Sequence, residues 1–186
     1  DADRIRGYRD LLDFYHGGGL DATVLGFAQV DGAGNVNVAS FSGSLRGPGG
    51  FVDITHRTKK LLFCGTLTSG SLEVEIDGAE GGRPGVRIVR EGRHKKFLRQ
   101  VEQINLYGAG AFARGQRVLV ITERCVFEVQ RQGLTLIEVA PGIDVDRHIR
   151  PMLDFDLRVD PNVRIMPHKI FSAGPMHLRL DERARH

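Results

Sequence analysis

RVLVITERCVFEVQRQGLTLIEVAPG, residues 117–142, is the most regular stretch of the chain, and its reading decides the fold class. Three apolar segments are separated by short polar turns and closed by Pro141-Gly142, which predicts three consecutive strands. Upstream, KKLLFCGT (59–66) rises out of charge into an apolar run suited to a buried strand. LDATVLGFAQV (20–30) reads the same way, as one buried strand ending at Gln29-Val30. Ahead of it, Ile5, Tyr8, Leu11, Leu12 and Tyr15 recur at spacings of three and four. That predicts a helix over residues 3–15, stopped by Gly17-Gly18-Gly19.

Shorter signals fill the intervals. DGAGN (31–35) is a tight turn, and NVNV (35–38) alternates as a short strand. Residues 42–50 form a glycine-punctuated loop, and TSGS (68–71) is a turn of small residues. LEVEI (72–76) and VRIVREG (86–92) predict an antiparallel pair about the turn EGGRPG (80–85). KKFLRQV (95–101) and QINLYG (103–108) follow as extended segments, and GAFARG (110–115) as one or two helical turns. Asp144 is placed to cap a helix over residues 145–153 that Pro151 interrupts. From Asp154 onward the chain reads as loop-rich.

The expected fold is α/β: an open, mostly parallel sheet with a β-rich addition, forming one domain over residues 1–186. The first units of the parent sheet are expected to lie outside this chain. Such a gap would leave a strand edge or apolar face open, which predicts a homo-oligomer or a partner carrying the missing part.

Composition narrows the function classes. Glycine makes up 24 of 186 residues, about 13% against a usual ~7%, so turns and close backbone approaches are frequent. No apolar run reaches the ~18 residues of a membrane helix. Cys64 and Cys125 each sit in an apolar run and read as buried free thiols of a reducing compartment, hence a cytoplasmic protein. No metal site is expected, because HxxxH, HExxH and CxxC are absent. The net charge of +3 draws on seven Lys or Arg between Arg83 and Arg99, set against Glu91 alone. That run reads as a solvated strand pair or as a site for a polyanion such as coenzyme A. Nucleic acid is not the expected partner, since neither aromatic platforms nor a reading helix accompany the charge.

One loop carries candidate chemistry. In Gly47-Pro48-Gly49-Gly50-Phe51, proline fixes one φ while three glycines leave peptide N–H groups open to a ligand. Such donors are what a thioester oxyanion requires, although a tight loop before a strand or helix would use the same residues.

GGGLDATVLGFAQVDGAGNVNV (17–38), GPGGFVDIT (47–55), KKLLFCGT (59–66) and ITERCVFEVQRQGLTLIEVAPGIDV (121–145) resemble, in order, consecutive blocks of the family I CoA-transferases. Within that family they look most like the acetate or propionate enzymes, and more distantly the succinyl-CoA:3-ketoacid enzyme. The resemblance implies an α/β fold and the transfer of CoA between an acyl-CoA and a short-chain carboxylate. A glutamate attacks the thioester in that family, giving an anhydride and then an enzyme glutamyl-CoA thioester in ping-pong fashion. Coenzyme A is thus a substrate, and no permanently bound cofactor is implied.

Carried over residue by residue, the resemblance makes Gly50, with Gly49, the oxyanion donors. Gly47, Gly49, Gly50, Gln29, Thr66, Thr68 and Gly70 become candidates for lining the CoA channel. The glutamate block, Glu-Ser-Gly or Glu-Asn-Gly, falls upstream of the first helix and so outside this chain. Glu91-Gly92 imitates it but lies in the β-rich addition and reads as an exposed charge. The chain alone is therefore expected to be inactive. A non-catalytic acyl-CoA or nucleotide-binding module is the alternative.

Overall fold

A computed structural model of the protein describes residues 7–41, 43–79 and 82–178. Its central sheet has six strands in the spatial order Ala22–Leu25, Lys60–Cys64, Arg117–Ile121, Cys125–Gln130, Gly133–Val139 and Arg158–Ile165. The first three run parallel, the next two turn back as an antiparallel meander, and the last lies parallel to its neighbour. The helices Tyr8–His16 and Phe51–Arg57 precede the first two parallel strands and pack against each other.

The core follows from alternation. Leu61 and Phe63 point inward from their strand, as do Val118 and Val120 from theirs, and all four are fully buried. The last core strands, Cys125–Gln130 and Gly133–Val139, are buried almost throughout. Phe97 joins them from outside the sheet, its ring edge-on to Phe27 and 5.2 Å from Phe127. Each such phenylalanine contributes roughly 1.5–3 kcal/mol by leaving water.

The β-rich addition is the hairpin Glu73–Ala79 with Arg83–Arg90, as the alternation predicted. The EGGRPG turn includes residues 80 and 81, which lie outside the described residues. Much of its basic character is neutralised across the ladder. Glu73 faces Arg90 and Glu75 faces Arg87 in register, and each pair forms a salt bridge.

Several expectations need correction. The run 20–30 is not one strand: the chain leaves the sheet at Gly26, and Gln29–Asp31 begins a separate three-stranded patch with Val36–Asn37 and Phe97–Leu98. Its first half is an edge strand with Val24 exposed. Residues 99–106 are largely irregular instead of extended. The segment after Asp154, expected to be loop-rich, holds the eight-residue strand Arg158–Ile165, with Pro161 inside it. Proline survives there because the strand is an edge and the ladder skips register between Leu136 and Glu138, opposite the proline. Cys125 is buried, and burial pushes its thiol up to about 12. Cys64 is exposed instead, since it follows the inward Phe63 on an alternating strand.

Candidate active site and substrate cleft

A cleft of about 590 Å³ opens where the first two parallel strands end. Ligands of open α/β sheets bind in this position, beyond the carboxyl ends of the strands. Gly26 and Phe27 follow the first strand, and Gln29 and Val38 come from the small patch. Ser69, His94, Lys95 and Lys96 complete one wall, and Arg46 brings the chain to the glycine loop.

The glycine loop continues directly from Arg46. Gly47 has φ +76° and Gly49 φ +55°, the left-handed region that glycine alone enters freely. Gly50 sits at φ −80°, ψ 7° and caps the helix Phe51–Arg57. Its carbonyl accepts from the Ile54 N–H at 3.0 Å, and the Pro48 carbonyl accepts from the Phe51 N–H at 3.1 Å. Those bonds hold the loop through its carbonyls. Among the described residues, the N–H groups of Gly49 and Gly50 meet no acceptor. The loop glycines are not themselves in the cleft wall, which reaches them through Arg46.

The other sequence candidates divide. Gln29 lines the cleft, but its amide is committed to bracing: Oε1 accepts from Asn37 Nδ2 at 2.7 Å and from the Glu102 N–H at 3.0 Å, while Nε2 donates to Glu102 at 2.8 Å. Thr68 is fully buried beneath the wall and bonds Glu91, with its hydroxyl accepting from the Gly92 N–H at 3.2 Å. Gly70, at φ +80°, lies against the His94 ring and accepts from the Arg93 N–H at 3.0 Å. Thr66 is exposed. Of these residues, Gln29 alone is in the cleft wall, and the turn 68–71 enters it through Ser69.

Two features escaped sequence reasoning. The first is a buried ion cluster under the wall, and it corrects the reading of Glu91 as an exposed charge. Arg124 is 0% exposed and grips the 28%-exposed Glu91 with both terminal nitrogens, at 2.7 and 3.0 Å. Its Nε donates to Glu123 at 2.5 Å and its Nη1 to the His148 carbonyl at 2.9 Å. Burial opposes ionisation of Glu91, but the Arg124 and Thr68 hydrogen bonds outweigh it and hold the carboxyl below its usual range. The partners stand 33 residues apart, so no local pattern could pair them.

The second feature is Lys96. Its ammonium lies 3.8 Å from the centroid of the Phe27 ring, on the cleft wall. Burial depresses its pKa to about 8 against the opposing pull of Glu123. Its neighbour Lys95 is bound to Asp154 at 2.8 Å instead. In the sequence both belong to one basic run, and only the fold separates them. Among the described residues no group of His, Cys, Asp and Glu could hold a metal ion, and no helix is long and apolar enough to cross a membrane.

No family model matches the chain. Individual proteins do. The acetate CoA-transferase YdiF of Escherichia coli K12 is 46% identical over 173 residues, which is 93% of this chain and 32% of that protein. The caffeate CoA-transferase of Acetobacterium woodii is 41% identical over 87% of the chain and 31% of its own length. The chain thus spans about a third of these relatives. Among solved structures, the apoenzyme of the acyl-CoA transferase YdiF from E. coli O157:H7 superposes with a TM-score of 0.90 at 45% identity. That match covers 97% of this chain and 34% of the other. A second structure of that enzyme is a thioester complex with CoA. The decarboxylase AibA/AibB, 18% identical with a TM-score of 0.60, shares the fold alone.

Proposed function

We propose that this chain, homologous to CoA-transferases and matching about a third of their length, is the C-terminal portion of an enzyme that moves CoA between an acyl-CoA and a short-chain carboxylate. It forms a single partial domain of that cytoplasmic enzyme, supplying the oxyanion loop and one wall of the CoA cleft. The nucleophilic glutamate belongs to sequence upstream of this chain, so the chain by itself is inactive.

The observation that carries the reading is the pair of glycine amides at positions 49 and 50. They are held by carbonyl-side bonds, and their N–H groups meet no acceptor among the described residues. A tetrahedral intermediate needs donors fixed before the reaction, because donors already in place need no reorganisation when charge develops. Gly49 and Gly50 are the donors in this reading, with Gly47 setting the turn. Gln29 acts through the cleft wall it braces. Thr66, Thr68 and Gly70 shape the turn beside the CoA channel and give no direct contact. Coenzyme A is a substrate that leaves each cycle, so no resident cofactor is needed.

Trapping tests this mechanism. The intact protein, incubated with acyl-CoA and no acceptor, is expected to accumulate a glutamyl-CoA thioester that borohydride or hydroxylamine captures. Peptide mass mapping should locate the adduct at a glutamate outside residues 1–186. An adduct at Glu91, or none at all, would reject the assignment.

The reading also includes assembly as a homo-oligomer. Strand Ala22–Leu25 pairs on one side only among the described residues, and Val24 on it is 65% exposed. Light scattering on the intact protein should give at least twice the monomer mass, and a monomer would refute this part.

A further inference from the structure

The position of Lys96 asks more of the cleft than CoA binding alone. Its backbone is fixed, because its carbonyl accepts the Val30 N–H at 2.9 Å and the next residue, Phe97, is fully buried. The side chain runs across the ends of the two neighbouring parallel strands. There its ammonium lies on the Phe27 ring, 3.1 Å from where a Cβ on Gly65 would stand. Glycine at 65 keeps this channel open: a Cβ would also come within 2.7 Å of the Phe27 ring. Glu123, the carboxylate that Lys96 feels, is already committed to the Leu67 N–H at 2.9 Å and to Arg124. Among the described residues Lys96 forms no salt bridge; it rests on an aromatic face, with the charge of Glu123 acting on it from behind.

A half-buried ammonium with no carboxylate in direct contact is costly, and an aromatic face offsets only ~0.5–2 kcal/mol of that cost. An incoming anion would complete it. The walls decide which anion. Phe27 and Val38 are apolar, so the spot suits a small planar carboxylate with a short alkyl group. A doubly charged phosphate, strongly hydrated, is better served by an exposed cation such as Arg46.

Within the CoA-transfer reading, on which this rests, we infer that Lys96 is a substrate-binding residue whose ammonium receives the carboxylate of the acyl acceptor. Acceptor recognition thus lies partly in this chain, at the meeting of Phe27, Gly65 and Lys96. The other charged or titratable groups of the wall are Arg46, His94 and the Asp154-bound Lys95, and Glu123 lies behind it.

Steady-state kinetics on the intact protein, with propionyl-CoA as donor and acetate as acceptor, are set beside inhibition by free CoA, which reads the CoA contacts without any carboxylate. Lys96→Gln should lower kcat/KM for acetate about 10–100-fold, the worth of a charge-assisted hydrogen bond, and lower that for propionyl-CoA in step, because propionate departs through the same subsite, while the inhibition constant of free CoA changes less than about threefold. In the parent protein, kcat/KM for acetate should fall as pH rises through about 8, where Lys96 loses its charge. Lys96→Arg keeps the charge, so it should retain acetate use and abolish that fall. A purely structural lysine would not move the pH profile. If Lys96→Gln instead weakens inhibition by free CoA, the cation serves CoA and the inference is overturned. It is overturned equally if Lys96→Arg leaves the pH 8 fall in place, a readout that stands even if the glutamine variant misfolds. Absence of any transfer or adduct in the parent protein would instead remove the CoA-transfer reading itself.

Discussion

Gly50→Pro in the intact protein is expected to lower kcat for CoA transfer by about 10²–10³-fold, the usual cost of losing one oxyanion donor. The substitution is chosen from the backbone. Gly50 has φ −80°, close to the value proline imposes, and its N–H meets no acceptor among the described residues. A Cβ there would make only ordinary contacts, 3.8 Å from Leu12 and Ile54. Proline therefore removes the donor while leaving the carbonyl bond to Ile54 in place. Gly50→Ala is the control: it keeps the N–H and should retain most of the activity. Equal losses in the two variants would mean that the amide is not the working group. Thermal unfolding of both variants, within a few degrees of the parent, shows that the loop has not collapsed.

The second large effect is on stability. Arg124→Met should destabilise the intact protein by about 3–5 kcal/mol, because Glu91 and Glu123 would keep their charges beneath the cleft wall without a cation between them. Denaturant unfolding should show this as a lower midpoint at neutral pH. The same cluster fixes an acid limit. Glu91 has its folded pKa lowered, so its contribution is complete above the ordinary carboxylate range and fades as pH falls through the lowered value. Glu91→Gln should flatten the acid limb of the stability profile and cost stability at neutral pH. An Arg124→Met protein as stable as the parent would show that the cluster does not hold the wall.

The two predictions act on neighbouring parts of one device. The loop 47–50 carries candidate donors, and the ion cluster fixes the turn 67–70 and the start of the segment 91–97 that bears Lys96. Glu91 holds Thr68, Thr68 accepts from Gly92, and Glu123 accepts from Leu67. A fault in the cluster should therefore reach the cleft through Ser69 and Lys96, although no member of the cluster lines it.

Much of this was legible in the residues themselves. Apolar segments parted by short polar turns in 117–142 marked three strands, because a strand covered by a core must be apolar wherever it is covered. Asp144 was readable as a cap, and its side chain accepts the Arg147 N–H at 2.8 Å. The glycines of 47–50 announced a loop of unusual conformation, and two of them do take positive φ. Spaced blocks in the right order pointed to the CoA-transferases, as the relatives bear out.

Tertiary structure alone decided the rest, because those features depend on residues far apart in the chain. Gly26 broke an apparently continuous strand because the following residues pair with Val36–Asn37 and Phe97–Leu98. Pro161 was tolerated because its strand lies at an edge with a register skip. The charge of Glu91 was internal because Arg124 arrives from another strand. Lys95 and Lys96 are identical in sequence terms, yet one is an ion-paired surface residue and the other lies in a cleft. Local pattern specifies what a segment can become, and long-range packing chooses which side chain ends without a partner.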